Sequence, residues 1–138
     1  MQDFRKLKVW QKAHELTLEI YRSTQKFPRE ELYGLTSQMR RAAASIGANL
    51  AEGCCRHGDV EFGRFIQIAL GSISEVDYHL LLARDLGFLA DKQYAKFVGL
   101  VTETRRMLIS LLQTVRTGRI ATAAERNASG SKLIAHSS

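Results

Sequence analysis

The chain has 138 residues, of which 45% are hydrophobic and 25% are charged, and its formal net charge is +6 at pH 7. These values are typical of one globular domain and exclude an intrinsically disordered chain. No stretch of about 18 apolar residues occurs, and no charged start precedes an apolar segment, so we expect no membrane span, no secretory signal and a cytoplasmic protein. Cys54 and Cys55 are adjacent, which disfavours a disulfide between them, and we expect free thiols without a metal or cofactor.

The spacing of apolar residues predicts four helices with short connections. The first helix spans residues 9–25, and Pro28 ends it because the residue before a proline is pushed out of the helical conformation. The second opens with Glu30 and Glu31 in its first turn, where acidic charge suits the helix dipole, and closes near Gly53. The residues predicted to face inward are Val9, Ala13, Leu16, Ile20 and Thr24 in the first helix and Leu32, Leu35, Met39, Ala42, Ile46 and Leu50 in the second.

The third helix is predicted to start with Asp59 as its N-cap and to end at Gly87, and the fourth to run from an Asp91 cap to Gly118. The inward residues of the fourth helix are Tyr94, Phe97, Val101, Thr104, Leu108, Leu111 and Val115. The third helix carries an apolar heptad, Phe62, Ile66, Ala69, Ile73, Val76, Leu80 and Ala83, and beside it a second stripe, Phe65, Ile68, Ser72, Glu75, His79, Leu82 and Leu86. Two stripes form a wider face than one neighbouring helix needs, which favours an oligomer.

Four amphipathic helices with short connections predict an all-α protein, an antiparallel up-down-up-down four-helix bundle over residues 1–118. From Arg119 onward the composition changes to Ala, Ser, Thr and Gly with scattered charge. This change predicts a flexible C-terminal tail over residues 119–138.

A line of polar residues follows the apolar stripe of the second helix at the same period: Gln38, Arg41, Ser45, Asn49 and Glu52. Polar side chains beside an apolar stripe are at risk of burial and must then be paired. If the second and third helices form an antiparallel hairpin about Arg56, this line faces Ser72 and Glu75. We therefore predict an Arg41–Glu75 ion pair, with Arg40 as the substitute if the register shifts. Removing one partner of such a buried pair is expected to cost about 3–5 kcal/mol.

No catalytic pattern accompanies this polar network. Glu75 and His79 are four residues apart and occur once, whereas a di-iron bundle needs a Glu-x-x-His motif on each of two helices. No arginine is followed four to six residues later by a histidine, the spacing of some helical ribonucleases. Because these patterns are missing, we expect a protein without enzymatic activity. The contrary hypothesis, an enzyme, would need a pocket that converges on Glu75, His79 and Asn49.

Nucleic-acid binding is consistent with the excess of basic residues, although no base-stacking motif accompanies them. The residues that we assign to phosphate contact are Lys8, Lys12, Arg40, Arg56 and Arg64. The alternative is a protein-interaction scaffold whose basic charge only maintains solubility. Binding predicts basic residues clustered on one accessible face, whereas a scaffold predicts basic residues mixed with acidic ones.

The run from Tyr33 to Gly53, YGLTSQMRRAAASIGANLAEG, resembles the signature of the four-helix-bundle proteins encoded in 23S ribosomal RNA intervening sequences. The segments Leu7–Ala13, Ala69–Glu75 and Leu86–Leu89 fit the same pattern, so the resemblance covers residues 4–117. It implies a bundle that assembles as a homo-oligomer, a pentameric ring. Similar proteins act as accessory factors of diversity-generating retroelements, so the resemblance also implies RNA or DNA and a reverse transcriptase as partners.

Overall fold

The computed structural model describes residues 3–118, and over this range the protein is all-α, with four long helices and no strand. The helices are α1 Lys8–Thr24, α2 Leu35–Cys55, α3 Asp59–Asp85 and α4 Asp91–Arg116. Short 3-10 helices, Phe4–Lys6 and Arg29–Glu31, precede α1 and α2. The prediction of four helices is confirmed, and the predicted tail at 119–138 lies outside the described residues.

The second helix begins later than the sequence predicted. Glu30 and Glu31 lie in the preceding 3-10 helix, and α2 starts at Leu35. The chain leaves the helical path at Gly34, whose φ of −113° and ψ of −114° no regular helix adopts. The Glu31 carboxylate nevertheless accepts a hydrogen bond from the Leu35 N–H at 3.3 Å, so its charge still lies at the N-terminus of α2.

The two predicted aspartate caps are also displaced by one residue. Asp59 and Asp91 are the first helical residues of α3 and α4, and the N-cap positions belong to Gly58 and Ala90. Neither N-cap residue provides a side-chain hydrogen bond. The two carboxylates therefore act on the helix dipole from inside the first turn rather than as caps.

The end of α3 agrees with the prediction at Gly87, which has a φ of +82°. The Phe88 N–H bonds the Ala83 carbonyl at 2.8 Å, and the Gly87 N–H bonds the Arg84 carbonyl at 2.9 Å. These two bonds form a Schellman motif, which needs the left-handed backbone that glycine adopts without strain.

The core consists largely of the residues predicted to face inward. All five inward positions of α1 and all seven members of the α3 heptad are buried. Leu32 is exposed because it precedes α2, and in α4 Leu112 is buried whereas the predicted Leu111 is only half-buried. Helical periodicity therefore identified the buried face of each helix but not every residue at its edge.

Each helix has two neighbours: α1 and α3 both pack against α2 and α4. Between α1 and α2, the Thr17 hydroxyl donates to the Ala43 carbonyl at 3.0 Å. Between α1 and α4, the Gln93 amide donates to the Ser23 hydroxyl at 2.6 Å. Within residues 3–118, no helix is both long and apolar enough to cross a membrane.

Candidate nucleic-acid interface

The polar line of α2 forms a smaller network than we predicted. The hydroxyl oxygens of Ser45 and Ser72 lie 2.9 Å apart, which joins α2 to α3. The Asn49 side-chain amide donates to the Ser45 carbonyl at 2.8 Å and to the Ser45 hydroxyl at 3.0 Å. All three residues are half-buried. These hydrogen bonds satisfy polar groups where the two helices meet.

The predicted Arg41–Glu75 ion pair is absent, and this prediction was wrong. Both side chains are exposed and line one cleft with Gln38, without a salt bridge between them. An exposed pair is worth about 0–1 kcal/mol, too little to hold two long side chains in one geometry. Arg40 does not substitute either, because its guanidinium turns towards α1 and donates to the Thr24 hydroxyl at 2.9 Å. The expected cost of about 3–5 kcal/mol for removing Glu75 therefore does not apply, since that figure holds for buried pairs.

Glu52, the last residue of the predicted polar line, pairs with Arg56, the C-cap residue that follows α2. Arg64 pairs in the same way with Glu61 on α3, at 3.2 Å. The guanidinium carbons of Arg56 and Arg64 lie 5.5 and 5.1 Å from the centre of the Phe65 ring. We call Arg56, Phe65 and Arg64 the arginine–phenylalanine cluster. The ring itself is buried, so this cluster presents charge rather than a stacking surface.

The other three predicted binding residues lie elsewhere. Lys8 is exposed and lines a groove between α1 and α4 that also contains Arg106. Lys12, one turn later on α1, pairs with Glu15 at 3.5 Å. Arg40 lies against the last turn of α1. The five residues therefore occupy three places rather than one face.

Arg116 contributes to the basic charge of the sequence but is not among the residues that we assigned to phosphate contact; it lines one cleft with Arg64 of the arginine–phenylalanine cluster. Val60, whose side chain is 87% exposed, forms part of the same cleft. The signal that could have found Arg116 is topological, because the end of α4 meets the start of α3 wherever the two helices run antiparallel. Arg64 and Arg116 bring two positive charges to this cleft, and Asp59, which also lines it, brings one negative charge.

In the part of the chain that the structure describes, no three His, Cys, Asp or Glu side chains are grouped so that they could hold a metal ion. Cys54 and Cys55 are free thiols. Burial, with a smaller contribution from the neighbouring Cys55, raises the pKa of the Cys54 thiol to about 11. Cys54 is therefore a protonated core residue at neutral pH and a poor nucleophile.

His79 is the buried titratable group of the second α3 stripe. Its side chain is 7% exposed, and its Nδ1 atom has no hydrogen-bond partner among the described residues. Burial lowers the pKa of His79, against the charge of Glu75 one turn earlier, which raises it. The neutral imidazole is thus the form that the fold favours.

This shift predicts a pH dependence of stability. As the pH falls through the histidine pKa of the unfolded chain, about 6.5, the unfolded state binds a proton before the folded state does. We expect the free energy of unfolding to decrease on acidification below that pH, and to decrease less in His79→Gln. Denaturant titrations from neutral pH to mildly acidic pH measure both slopes.

The matched control is His57→Gln, since His57 is exposed in the connection between α2 and α3. This variant should retain the pH dependence of the unmodified protein. Equal slopes for His79→Gln and the unmodified protein would contradict the assignment to His79.

The family described as "23S rRNA-intervening sequence protein" matches residues 5–110. Among solved structures, the chain is similar to a crystal structure, at 1.70 Å, of a protein with unknown function from the S23 ribosomal protein family of Bacteroides thetaiotaomicron VPI-5482. The two are 27% identical with a TM-score of 0.71, and the match covers 77% of this chain and 96% of that chain. No curated protein matches significantly. Because the family match extends from the first 3-10 helix through most of α4, this chain belongs to the 23S rRNA-intervening sequence protein family.

Proposed function

We propose that this protein is a non-enzymatic homo-oligomer, located in the cytoplasm, that binds RNA or DNA through charge and shape. The proposal is supported above all by the arginine–phenylalanine cluster. There, two guanidinium groups with side chains 49% and 59% exposed lie against one ring at the junction of α2 and α3. Arg116, next to Arg64, adds a further positive charge.

The ion pairs of this cluster do not prevent phosphate contact. On the surface, Arg56 pairs with a carboxylate of α2 and Arg64 with a carboxylate of α3, and such pairs are worth about 0.3–0.5 kcal/mol. A guanidinium can bond a phosphate with two parallel N–H groups, which is a stronger interaction. The Phe65 ring face keeps both guanidinium groups in place, so less entropy is lost when they bind.

Further positive charge is available outside the cluster. Between residues 3 and 118, several basic side chains form no ion pair: Lys6, Lys8, Lys26, Arg29, Arg40, Arg41, Lys92 and Arg116. The absence of a sequence-reading motif makes the proposed binding electrostatic and steeply dependent on salt.

The proposed assembly is an antiparallel up-down-up-down bundle in a homo-oligomer, with a pentameric ring as the expectation from the family resemblance. The contacts between α1 and α2 are consistent with opposite directions, since Thr17 bonds Ala43 whereas Thr24, further along α1, bonds the earlier Arg40. Beyond the arginine–phenylalanine cluster, the outward side of α3 exposes large apolar side chains, which suits an interface: Ile68 and Tyr78 on α3, and Leu86 at its C-cap. A ring would repeat the arginine–phenylalanine cluster and strengthen its field.

Binding to a labelled structured RNA and to duplex DNA, titrated across salt, tests the proposed function. We expect log affinity to fall linearly with log salt. The double variant Arg56→Gln/Arg64→Gln should bind more weakly, with a slope reduced by about 0.9 for each DNA phosphate that it no longer neutralises. The control is Arg22→Gln on α1, an exposed arginine that pairs with Glu19 in the same way. No binding at low salt, or equal weakening in the control, would overturn the proposal.

The oligomer has its own test, because Ile68 on α3 and Ile109 on α4 are both 43% exposed. We expect Ile68→Lys to dissociate the assembly, because Ile68 lies on the outward side of α3, the proposed interface. Ile109→Lys should leave the assembly intact, because Ile109 lies on α4. Sedimentation velocity measures the mass of each variant. A monomeric unmodified protein would contradict the assembly.

The charge distribution also favours an alternative, a protein-interaction scaffold. Lys12, Arg56 and Arg64, three of the five predicted binding residues, lie within salt-bridge distance of carboxylates, which is the mixing of signs expected for a scaffold. A reverse transcriptase is the partner that the family resemblance implies. If nucleic acid does not bind at low salt, the scaffold becomes the favoured function.

A further inference from the structure

A separate cleft lies at the turn between α1 and α2, away from the arginine–phenylalanine cluster. It has a volume of about 240 Å³ and lies between the last turn of α1 and the first turns of α2. Phe27, Pro28 and Leu32 form an apolar wall. The cleft thus combines an apolar side with the polar groups described next, a composition typical of small-ligand sites.

Thr36, which lines this cleft, is 2% exposed, and its hydroxyl has no hydrogen-bond partner within residues 3–118. The other two fully buried threonines bond the carbonyl one turn earlier: Thr24 bonds Ile20 and Thr104 bonds Leu100, each at 2.7 Å. A buried hydroxyl without a partner costs free energy, so such groups in native proteins call for an explanation. Here a ligand in the cleft would supply the missing partner.

Arg40 brings a positive charge that is fixed in position. Its Nε–H donates to the Thr24 hydroxyl at 2.9 Å, and its guanidinium carbon lies 4.8 Å from the centre of the Tyr21 ring. One further N–H group reaches the Tyr21 carbonyl at 3.4 Å, which leaves donors of the guanidinium free. No carboxylate of the described residues pairs with Arg40 or with the exposed Arg29, which lines the same cleft.

The N-terminus of α2 adds partial positive charge, because Thr36 belongs to its first turn. The opposing groups are Glu31, whose carboxylate accepts the Leu35 N–H, and the exposed Glu30, which follows Arg29 in the 3-10 helix; neither lines the cleft. Two arginines, one unpartnered hydroxyl and a helix N-terminus lie at the cleft, whereas the two nearby carboxylates do not line it, and this arrangement favours an anionic ligand.

We propose that this cleft binds the phosphate group of a nucleoside monophosphate. Arg40 and Arg29 contact the phosphate oxygens, the Thr36 hydroxyl bonds one of them, and the wall of Phe27 and Leu32 covers the organic part of the ligand. The same phosphate chemistry could come from a free nucleotide or from the 5′-terminal phosphate of a strand. The site does not depend on the arginine–phenylalanine cluster and does not rest on the proposed function.

Isothermal titration calorimetry of the full chain with AMP, adenosine and inorganic phosphate tests the site. We expect AMP to bind, adenosine not to bind, and phosphate to bind more weakly than AMP. Thr36→Val keeps the shape of the side chain and removes the hydroxyl, so it should weaken AMP binding about tenfold without lowering thermal stability. Arg40→Gln should abolish binding, and the control Arg22→Gln should leave it unchanged.

Equal binding of AMP and adenosine, no AMP binding at all, or unmodified affinity in Thr36→Val would each overturn the proposal. A 5′-phosphorylated dinucleotide that binds more tightly than AMP would identify a strand end as the source of the phosphate, and the reverse order a free nucleotide. The variant Arg56→Gln/Arg64→Gln should retain AMP binding. AMP binding by this variant would support a separate site. Loss of AMP binding would overturn the proposal, since the cleft would then act only as part of a general basic surface.

Discussion

Replacing Ile73 by alanine is expected to lower the free energy of unfolding by about 2–5 kcal/mol. Ile73 is fully buried in the middle of α3, the helix that packs against both α2 and α4. Alanine would leave a cavity that the surrounding side chains fill only in part, because helices fixed on both sides cannot move together to close it. Chemical denaturation at one fixed protein concentration measures this loss, since assembly would add to the apparent stability.

The matched control for this change is Ile109→Ala on α4, where the same side chain is 43% exposed. Surface substitutions usually change stability by no more than about 0.5 kcal/mol, so this variant should unfold near the unmodified protein. Equal losses in the two variants would contradict the assignment of Ile73 to the core.

The buried faces could be predicted because burial repeats with the helical period. The heptad from Phe62 to Ala83 on α3 is buried at every member, since one straight helix presents those positions to the same neighbours. The start of α2 could not be predicted in this way. The non-helical conformation of Gly34 determines where α2 starts, and the spacing of hydrophobic residues does not reveal such a turn.

Of the predicted polar contacts between α2 and α3, one forms and one does not. The hairpin register brought Ser45 opposite Ser72, because both lie where the helices touch. Arg41 and Glu75 follow the same lines but extend beyond the contact, so water competes for their charges and no pair forms. Periodicity gives the direction of a side chain from its helix, whereas pairing depends on how closely the next helix approaches.

The candidate sites were the least predictable part. Arg56 and Arg64 are eight residues apart and on different sides of the α2–α3 connection, and the sequence gives no reason to place both against Phe65. The cleft with Arg29 and Thr36 depends on the 3-10 turn between α1 and α2, which helical spacing does not describe. Single basic residues could be proposed from the sequence, but their grouping needed the tertiary structure.

Replacing Gly53 by alanine is expected to destabilise the protein, although alanine normally favours a helix. A Cβ atom at this position would lie 2.8 Å from Cδ1 of Phe62 and 3.1 Å from Cβ of Phe65, both on α3. Forcing an atom into such a packed contact costs about 1–3 kcal/mol. The helix preference for alanine over glycine offsets only about 0.5–1 kcal/mol of that cost.

Gly99→Ala on α4 is the matched control, because no atom of the described residues outside its own helix turn lies within 4 Å of a Cβ atom added there. This variant should gain about 0.5–1 kcal/mol, so the two identical substitutions should shift the denaturation midpoint in opposite directions. A stabilised Gly53→Ala variant would mean that α2 and α3 separate at little cost.

If instead Phe65 moves to make room, Arg56 and Arg64 lose the ring that orients them. Nucleic-acid affinity should then fall in Gly53→Ala and remain unchanged in Gly99→Ala, which would connect the close packing of α2 against α3 to the proposed binding surface.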